Sequence, residues 1–299
     1  MTDHVLTLIA AERGGLAAET VDAIREALRN LGADVARPDW LAEATACDLP
    51  FAELNDDQAD AAARALLGDA PVDVLAQPLA ERRKRLLIAD MESTLIENEM
   101  LDELADHVGK RREIAEITAR AMNGELDFRG ALDARVALLA GLDAAVLDES
   151  AKHIRYMPGA RALIATMQAN GAQTAIVSGG FRCYTALVAR ELGVGRDFGN
   201  LLEIADGRLT GRVVPPVLGR EAKLEALVRL ATEAGLPLSA TLATGDGAND
   251  LDMIAAAGLG VAFRAKPIVA AQAKWRVLHG DLTALLYAQG YRAGEIVAA

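Results

Sequence analysis

The chain is 299 residues long, enough for about two domains at roughly 100–200 residues each. Hydrophobic residues make up 52% of it and aromatics only 4%, so its core must come from Ala, Leu, Ile and Val, a composition that favours helices with short Val/Ile strands. A formal net charge of −12 argues against a general nucleic-acid binder, and would repel a phosphate ester too unless a divalent cation or local basic residues offset it.

No apolar stretch approaches the ~18–20 residues of a membrane span. The N-terminus lacks the basic, apolar and cleavage regions of a secretory signal. The two cysteines, Cys47 and Cys183, have no metal-ligand spacing and read as buried or half-buried free thiols. Together these features predict a soluble cytoplasmic protein that binds neither membrane nor nucleic acid.

In chain order, residues 5–10 read as a strand. Residues 18–31 read as a helix, with Val21, Ile24, Leu28 and Leu31 on one face and Gly32 as its stop. Weaker extended stretches follow at 33–38 and 44–48, then a helix at 58–67 and a strand at 72–77. The order β-α-β-β-α-β is that of a ferredoxin-like module over residues 1–80. The charged run Glu81, Arg82, Arg83, Lys84 and Arg85 reads as part of a solvated linker over 78–85.

Beyond it the pattern changes. A short apolar strand at 86–89 ends in Asp90, and residues 99–154 are mostly helical. Helices are then expected at 161–169, 181–192, 221–234 and 248–257. Strands are expected at 174–177, 240–244, 259–262 and 277–278. Residues 201–213 form a hairpin turning at Asp206 and Gly207. This alternation predicts an α/β fold, a doubly wound parallel sheet covered on both faces, with the helical insert capping the carboxyl end of its first strand.

Three strand ends carry chemistry. In open α/β sheets the ligand site lies at the carboxyl ends of the strands. At the first, Asp90 could attack phosphorus, while Glu92 could protonate the leaving oxygen and then activate water. At the second, Ser178, Gly179 and Gly180 could hold a phosphoryl oxygen through the Ser hydroxyl and backbone N–H groups. At the third, Asp246 and Asp250 are hard oxygen donors suited to Mg²⁺.

These three motifs, in this order with Lys223 between the second and third, resemble the haloacid dehalogenase superfamily of phosphohydrolases. Longer runs are similar to the phosphoserine phosphatases within it: residues 90–105, 121–128 with Arg135 and Val136, 177–181, 245–250 and 261–267. Residues 1–80 more loosely resemble ACT-like regulatory domains. The resemblance implies a phosphatase over 81–299, with its core at 86–98 and 156–299 and its cap at 99–155. It implies Mg²⁺ held by Asp90, the Glu92 carbonyl, Asp246 and Asp250, with Lys223 neutralising charge.

It further implies that Glu99 pairs with a substrate ammonium, that Arg135 holds its carboxylate, that Met122 and Phe128 wall the pocket, and that Asn249 lies against the substrate. The implied reaction is hydrolysis of O-phospho-L-serine to L-serine and phosphate, the last step of serine biosynthesis, through a phospho-aspartyl group on Asp90. ACT-like modules often pair, so a homodimer through residues 1–80 is expected. Glu92 stands where the family usually has Asp, and some relatives with Glu are described as transferring phosphate to homoserine. Phosphate transfer to an amino-alcohol is therefore the alternative reaction. An amino-acid sensor with a residual phosphatase half is the alternative of a different class.

Overall fold

The computed structural model describes residues 2–122 and 125–298, without the side chains of Ala119, Ala121 and Met122. The N-terminal part contains β1 (His4–Ala10), α1 (Ala18–Asn30), β2 (Asp34–Val35), β3 (Asp39–Ala42), β4 (Ala46–Ala52), α2 (Asp56–Leu67) and β5 (Val72–Pro78). Helix α1 buries Val21, Ile24 and Leu28, one apolar stripe at helical spacing. It stops before Gly32, whose φ of 95° suits glycine. Helix α2 is capped by Asn55, which accepts from the Gln58 N–H at 2.9 Å.

The sheet order is β2-β4-β1-β5, with β3 also paired to β4, and β1 runs antiparallel to both neighbours. This is the expected ferredoxin-like order with its second strand in two pieces. Pro38 lies between the pieces and has no N–H to give a ladder. Side chains alternate across the sheet. Leu6, Leu8, Cys47, Leu49 and Val74 pack on α1 and α2, whereas Ile9, Ala46 and Leu75 join the core of the rest of the chain.

That second face also buries Thr7, Asp48, Asp73 and Gln77. Their partners come from later in the chain, and they correct the expectation for residues 78–85. Arg82 and Lys84 are buried rather than solvated. The Arg82 guanidinium donates to both Asp48 oxygens (2.5 and 2.8 Å), to Thr7 Oγ1 (2.7 Å) and to the Ala288 carbonyl (2.8 Å). Lys84 Nζ donates to the carbonyls of Glu81 and Ser239, each at 2.8 Å. A buried charge is tolerable when it is paired and hydrogen-bonded this fully. Asp73 accepts the backbone N–H groups of Leu278 and Gly280 at 2.7 Å.

The second sheet begins with β6 (Leu86–Ala89). Four helices then form the insert: α3 (Met100–His107), α4 (Arg111–Met122), α5 (Phe128–Ala137) and α6 (Ala145–Ala151). A bridge between Ile96 and Tyr156 ties the two ends of the insert together. After it come α7 (Ala160–Ala169), β7 (Gln173–Phe181), α8 (Arg182–Leu192), β8 (Arg196–Ala205), β9 (Arg208–Val214), α9 (Arg220–Glu233), β10 (Thr241–Gly245), α10 (Leu251–Ala256), β11 (Leu259–Phe263), α11 (Pro267–Ala270), β12 (Trp275–Val277) and α12 (Ala284–Ala288).

The order is β12-β11-β10-β6-β7-β8-β9, parallel except for the β8–β9 hairpin. Strands β6, β10 and β11 are buried along their whole length, as strands covered on both faces must be. The hairpin turns at Asp206 and Gly207, with φ of 50° and 74°. Its first strand starts earlier than expected and pairs with β7. Both cysteines are free; Cys47 is buried as expected, but Cys183 is exposed.

Strand β6 sits between β10 and β7, with Ala89 level with Thr244 on one side and Ile176 on the other. The three motif-bearing strand ends therefore open into one crevice, where the order of the sheet reverses.

Candidate active site

Asp90 follows the last residue of β6, and its N–H donates to the Thr244 carbonyl at 3.0 Å, fixing the carboxylate at the mouth of the crevice. The Met91 N–H donates to Asp90 Oδ1 at 2.7 Å. Lys223, almost fully buried on α9, brings its ammonium 2.8 Å from Asp90 Oδ2 and donates to Asp250 Oδ1 at 2.6 Å. The other Asp250 oxygen accepts the Gly247 N–H at 2.9 Å. Burial pulls the Lys223 pKa down, but Asp90 and Asp250 outweigh it, so the net shift is upward and the ammonium stays charged.

Carboxylate oxygens of Asp90, Asp246 and Asp250 all lie within 4.8 Å of one another. Asp246 is pushed up to about 7, first by burial and then by the charges of Asp90 and Asp250. Burial, then Asp90, raises Asp250 to about 6 against the pull of Lys223. One buried ammonium thus leaves excess negative charge on a set of hard oxygen donors, which fits a divalent cation. Asp246 has the less committed carboxylate: its one side-chain partner among the described residues is Thr94 Oγ1 at 3.5 Å. Gly245 makes the cluster possible, since a Cβ there would lie 2.3 Å from Asp250 Cγ.

Glu92 turns toward the insert. Its Oε1 accepts the Met100 N–H at 2.9 Å, the first N–H of α3. Burial chiefly, then the charge of Glu99, raises its pKa to about 8. A Cβ on Gly180 would lie 2.8 Å from Glu92 Oε2, so the glycine leaves room for this carboxyl. Glu99 precedes α3 without capping it, and its Oε1 accepts from Ser93 Oγ at 2.7 Å. Burial raises Glu99 as well, with the Ser93 hydrogen bond opposing.

Across the crevice, Ser178 is buried on β7 and its Oγ accepts the Gly180 N–H at 3.0 Å. The buried Asn200 of β8 holds this turn by donating to the Gly179 carbonyl at 2.8 Å and accepting the Leu218 N–H at 2.8 Å. A cavity of about 170 Å³ lies between the strand ends and the insert. Its wall brings together the predicted Asp90, Glu92, Glu99, Phe128, Arg135, Ser178, Gly179, Gly180, Asp246 and Asn249. Lys223 and Asp250 stand behind Asp90 rather than on the wall. The side chain of Met122 lies outside the described residues.

Phe128, the first residue of α5, reaches the Ser178–Gly180 turn: a Cβ on Gly179 would come 3.3 Å from its ring. Arg135 lies on the same helix. Its Nε donates to the Ala131 carbonyl at 3.1 Å, and among the described residues it forms no ion pair. Burial lowers its pKa, with Glu92, Asp102 and Glu99 opposing. Leu101, Leu132 and Lys266 also line the cavity and were not singled out from the sequence. The signal for Lys266 was present: a basic residue just before Pro267, which opens α11 at the end of the β11 segment.

A family model for haloacid dehalogenase-like hydrolases matches residues 87–255. The phosphoserine phosphatase of Streptomyces coelicolor is 50% identical over 228 residues, covering 76% of this chain and 56% of that protein, so the chain spans little more than half the relative's length. The phosphoserine phosphatase of Streptococcus thermophilus is 45% identical over 199 residues, covering 67% of this chain and 93% of the relative. The solved structure of a probable phosphoserine phosphatase from Vibrio cholerae, in its unliganded form, is similar with a TM-score of 0.78 and 29% identity, over 98% of this chain and 88% of that one. With more than half the chain matched by the family model, and nearly all of a relative covered at 45% identity, the chain belongs to the haloacid dehalogenase-like hydrolases, in their phosphoserine phosphatase branch.

Proposed function

We propose that this protein hydrolyses O-phospho-L-serine to L-serine and phosphate with Mg²⁺, through a phospho-aspartyl group on Asp90. One observation carries the reading. A single cavity has the Asp90 and Asp246 carboxylates and the Ser178 turn at the strand ends, and Glu99 and Arg135 toward the insert. Phosphate, ammonium and carboxylate of a phosphoamino acid would each meet a complementary group. Arg135, without an ion pair among the described residues, presents a planar fork for a carboxylate.

The chain's own residues account for the proton and charge movements. The Asp90 oxygen attacks phosphorus, while Lys223 balances the charge on Asp90 and Asp250. Glu92, whose burial and neighbour Glu99 favour its protonated form, gives its proton to the departing serine oxygen. The resulting carboxylate then takes a proton from the water that frees phosphate. Ser178 Oγ, steadied by the Gly180 N–H, and the Gly179 N–H hold phosphoryl oxygens. Phe128 and Leu132 exclude water on the insert side. Asp90, Asp246, Asp250 and the Glu92 carbonyl would hold Mg²⁺, which when bound supplies positive charge to the phosphoryl oxygens.

In this reading residues 1–80 form an ACT-like unit through which two chains pair, and residues 81–299 form the phosphatase. It works in the cytoplasm as the last step of serine biosynthesis; no helix among the described residues is long and apolar enough to cross a membrane. The test is phosphate release with Mg²⁺ from L-phosphoserine, D-phosphoserine, phosphothreonine and phosphohomoserine, with and without acceptor alcohols. A preference for L-phosphoserine is expected, lost in Arg135→Ala. An equal rate on all four esters would reject the substrate, and phosphate appearing on the acceptor would reject hydrolysis.

A further inference from the structure

Two hydrogen bonds cross between the loop after β6 and the start of α3, and they exchange partners. Glu92, on the loop, caps the helix through the Met100 N–H at 2.9 Å. Glu99, in the capping position of that helix, gives its own N-terminus no side-chain bond and is instead gripped by Ser93 Oγ at 2.7 Å. Ser93 has a φ of 53°, a left-handed conformation rare for a residue with a Cβ. Such backbone persists only where surrounding structure enforces it, and it clusters at binding sites. Here it lies three residues after Asp90 and turns a hydroxyl onto a carboxylate of the cavity wall.

We propose that Ser93 is a specificity-determining positioning residue. It fixes the Glu99 carboxylate at a set distance from Asp90, so the cavity selects phosphate esters carrying an ammonium at that distance. The inference rests on reading Glu99 as the ammonium partner. Glu99 belongs to the helical insert, and without Ser93 its position would follow the insert rather than the nucleophile loop. Ser93 Oγ occupies one oxygen of Glu99 and leaves Oε2 for the substrate.

The experiment compares L-phosphoserine with its deamino analogue, which keeps phosphate and carboxylate, in the full-length protein with Mg²⁺. In Ser93→Ala, kcat/KM for phosphoserine should fall roughly tenfold or more, mainly through KM, as expected for one lost hydrogen bond to a charged group, while the deamino analogue keeps its value. Ser93→Gly accepts the left-handed backbone but has no hydroxyl, and should show the same selective loss. An equal fall for both substrates, no fall for either, or wild-type selectivity in Ser93→Gly would each overturn the inference. A wild-type enzyme with no preference for phosphoserine over the analogue would instead overturn the substrate reading on which it rests.

Discussion

Lys223 and Asp90 form a buried ion pair with 2.8 Å between ammonium and carboxylate, and Asp250 holds the same ammonium at 2.6 Å. The lysine is a structural tie between α9, β6 and the loop after β10, and in the proposed mechanism it also balances charge. Replacing it with Met leaves two carboxylates facing each other in the interior. Breaking a buried pair by removing one partner costs about 3–5 kcal/mol. Lys223→Met should lose that much in a urea titration and lose turnover with it; an unchanged midpoint would contradict the pairing.

The acidic cluster sets a pH dependence for the metal-free protein. Glu92, Asp246 and Asp250 are raised to about 8, about 7 and about 6. Each binds its proton more tightly folded than unfolded. Their contribution to stability is full below the unfolded values and is lost as pH rises through the folded ones. Stability in chelator should therefore fall from about pH 4 to about pH 8. Mg²⁺ at the cluster would compete with the Asp246 and Asp250 protons, so its effect on the unfolding midpoint should be larger at pH 8 than at pH 5. A flat profile in chelator would show that the cluster does not carry these shifts.

Gly180 and Glu92 give a geometric prediction. A methyl at Gly180 would sit 2.8 Å from Glu92 Oε2, and the carboxyl must give way. Misplacing a proton donor by about 1 Å can cost on the order of 10²-fold in rate. Gly180→Ala should fold, bind Mg²⁺ and lose kcat on that scale. Full activity would mean that Glu92 is not the proton donor from its observed position.

Arg82 ties the N-terminal sheet to the rest of the chain, joining Asp48 and Thr7 to the Ala288 carbonyl. Trp275 Nε1 adds a 2.6 Å bond to the Ala76 carbonyl. The two parts should unfold together. The tryptophans, Trp40 in β3 and Trp275 in β12, report on both. Fluorescence and circular dichroism should trace one transition in the wild type. Arg82→Met, which leaves Asp48 unpaired, should lower it by about 3–5 kcal/mol. Two separated wild-type transitions would show that the N-terminal part is an independent unit.

The site was legible because its chemistry sits at strand ends. Asp90, Ser178 and Asp246 each follow a short apolar run, and parallel pairing of β6 with β10 and β7 makes such ends converge. What escaped depends on partners distant in sequence. Arg82 and Lys84 look like surface charges until Asp48, Ala288 and Ser239 fold over them. The early start of β8 could not be seen because residues 196–200 become a strand by pairing with β7. Strand β3 is short and follows a proline, so local pattern gave it no signal. Ser93 was passed over because its weight lies in a backbone angle and in one contact to Glu99.

Under the proposed mechanism Asp90 becomes phosphorylated in every turnover. The direct test is rapid acid quenching of the enzyme during turnover of L-phosphoserine with Mg²⁺, followed by peptide mass mapping. A phosphate adduct is expected on the peptide carrying Asp90, absent in Asp90→Asn and both formed and lost more slowly in Glu92→Gln, where proton donation and water activation go together. Turnover without that adduct, or an adduct on another residue, would rule out Asp90 as the nucleophile.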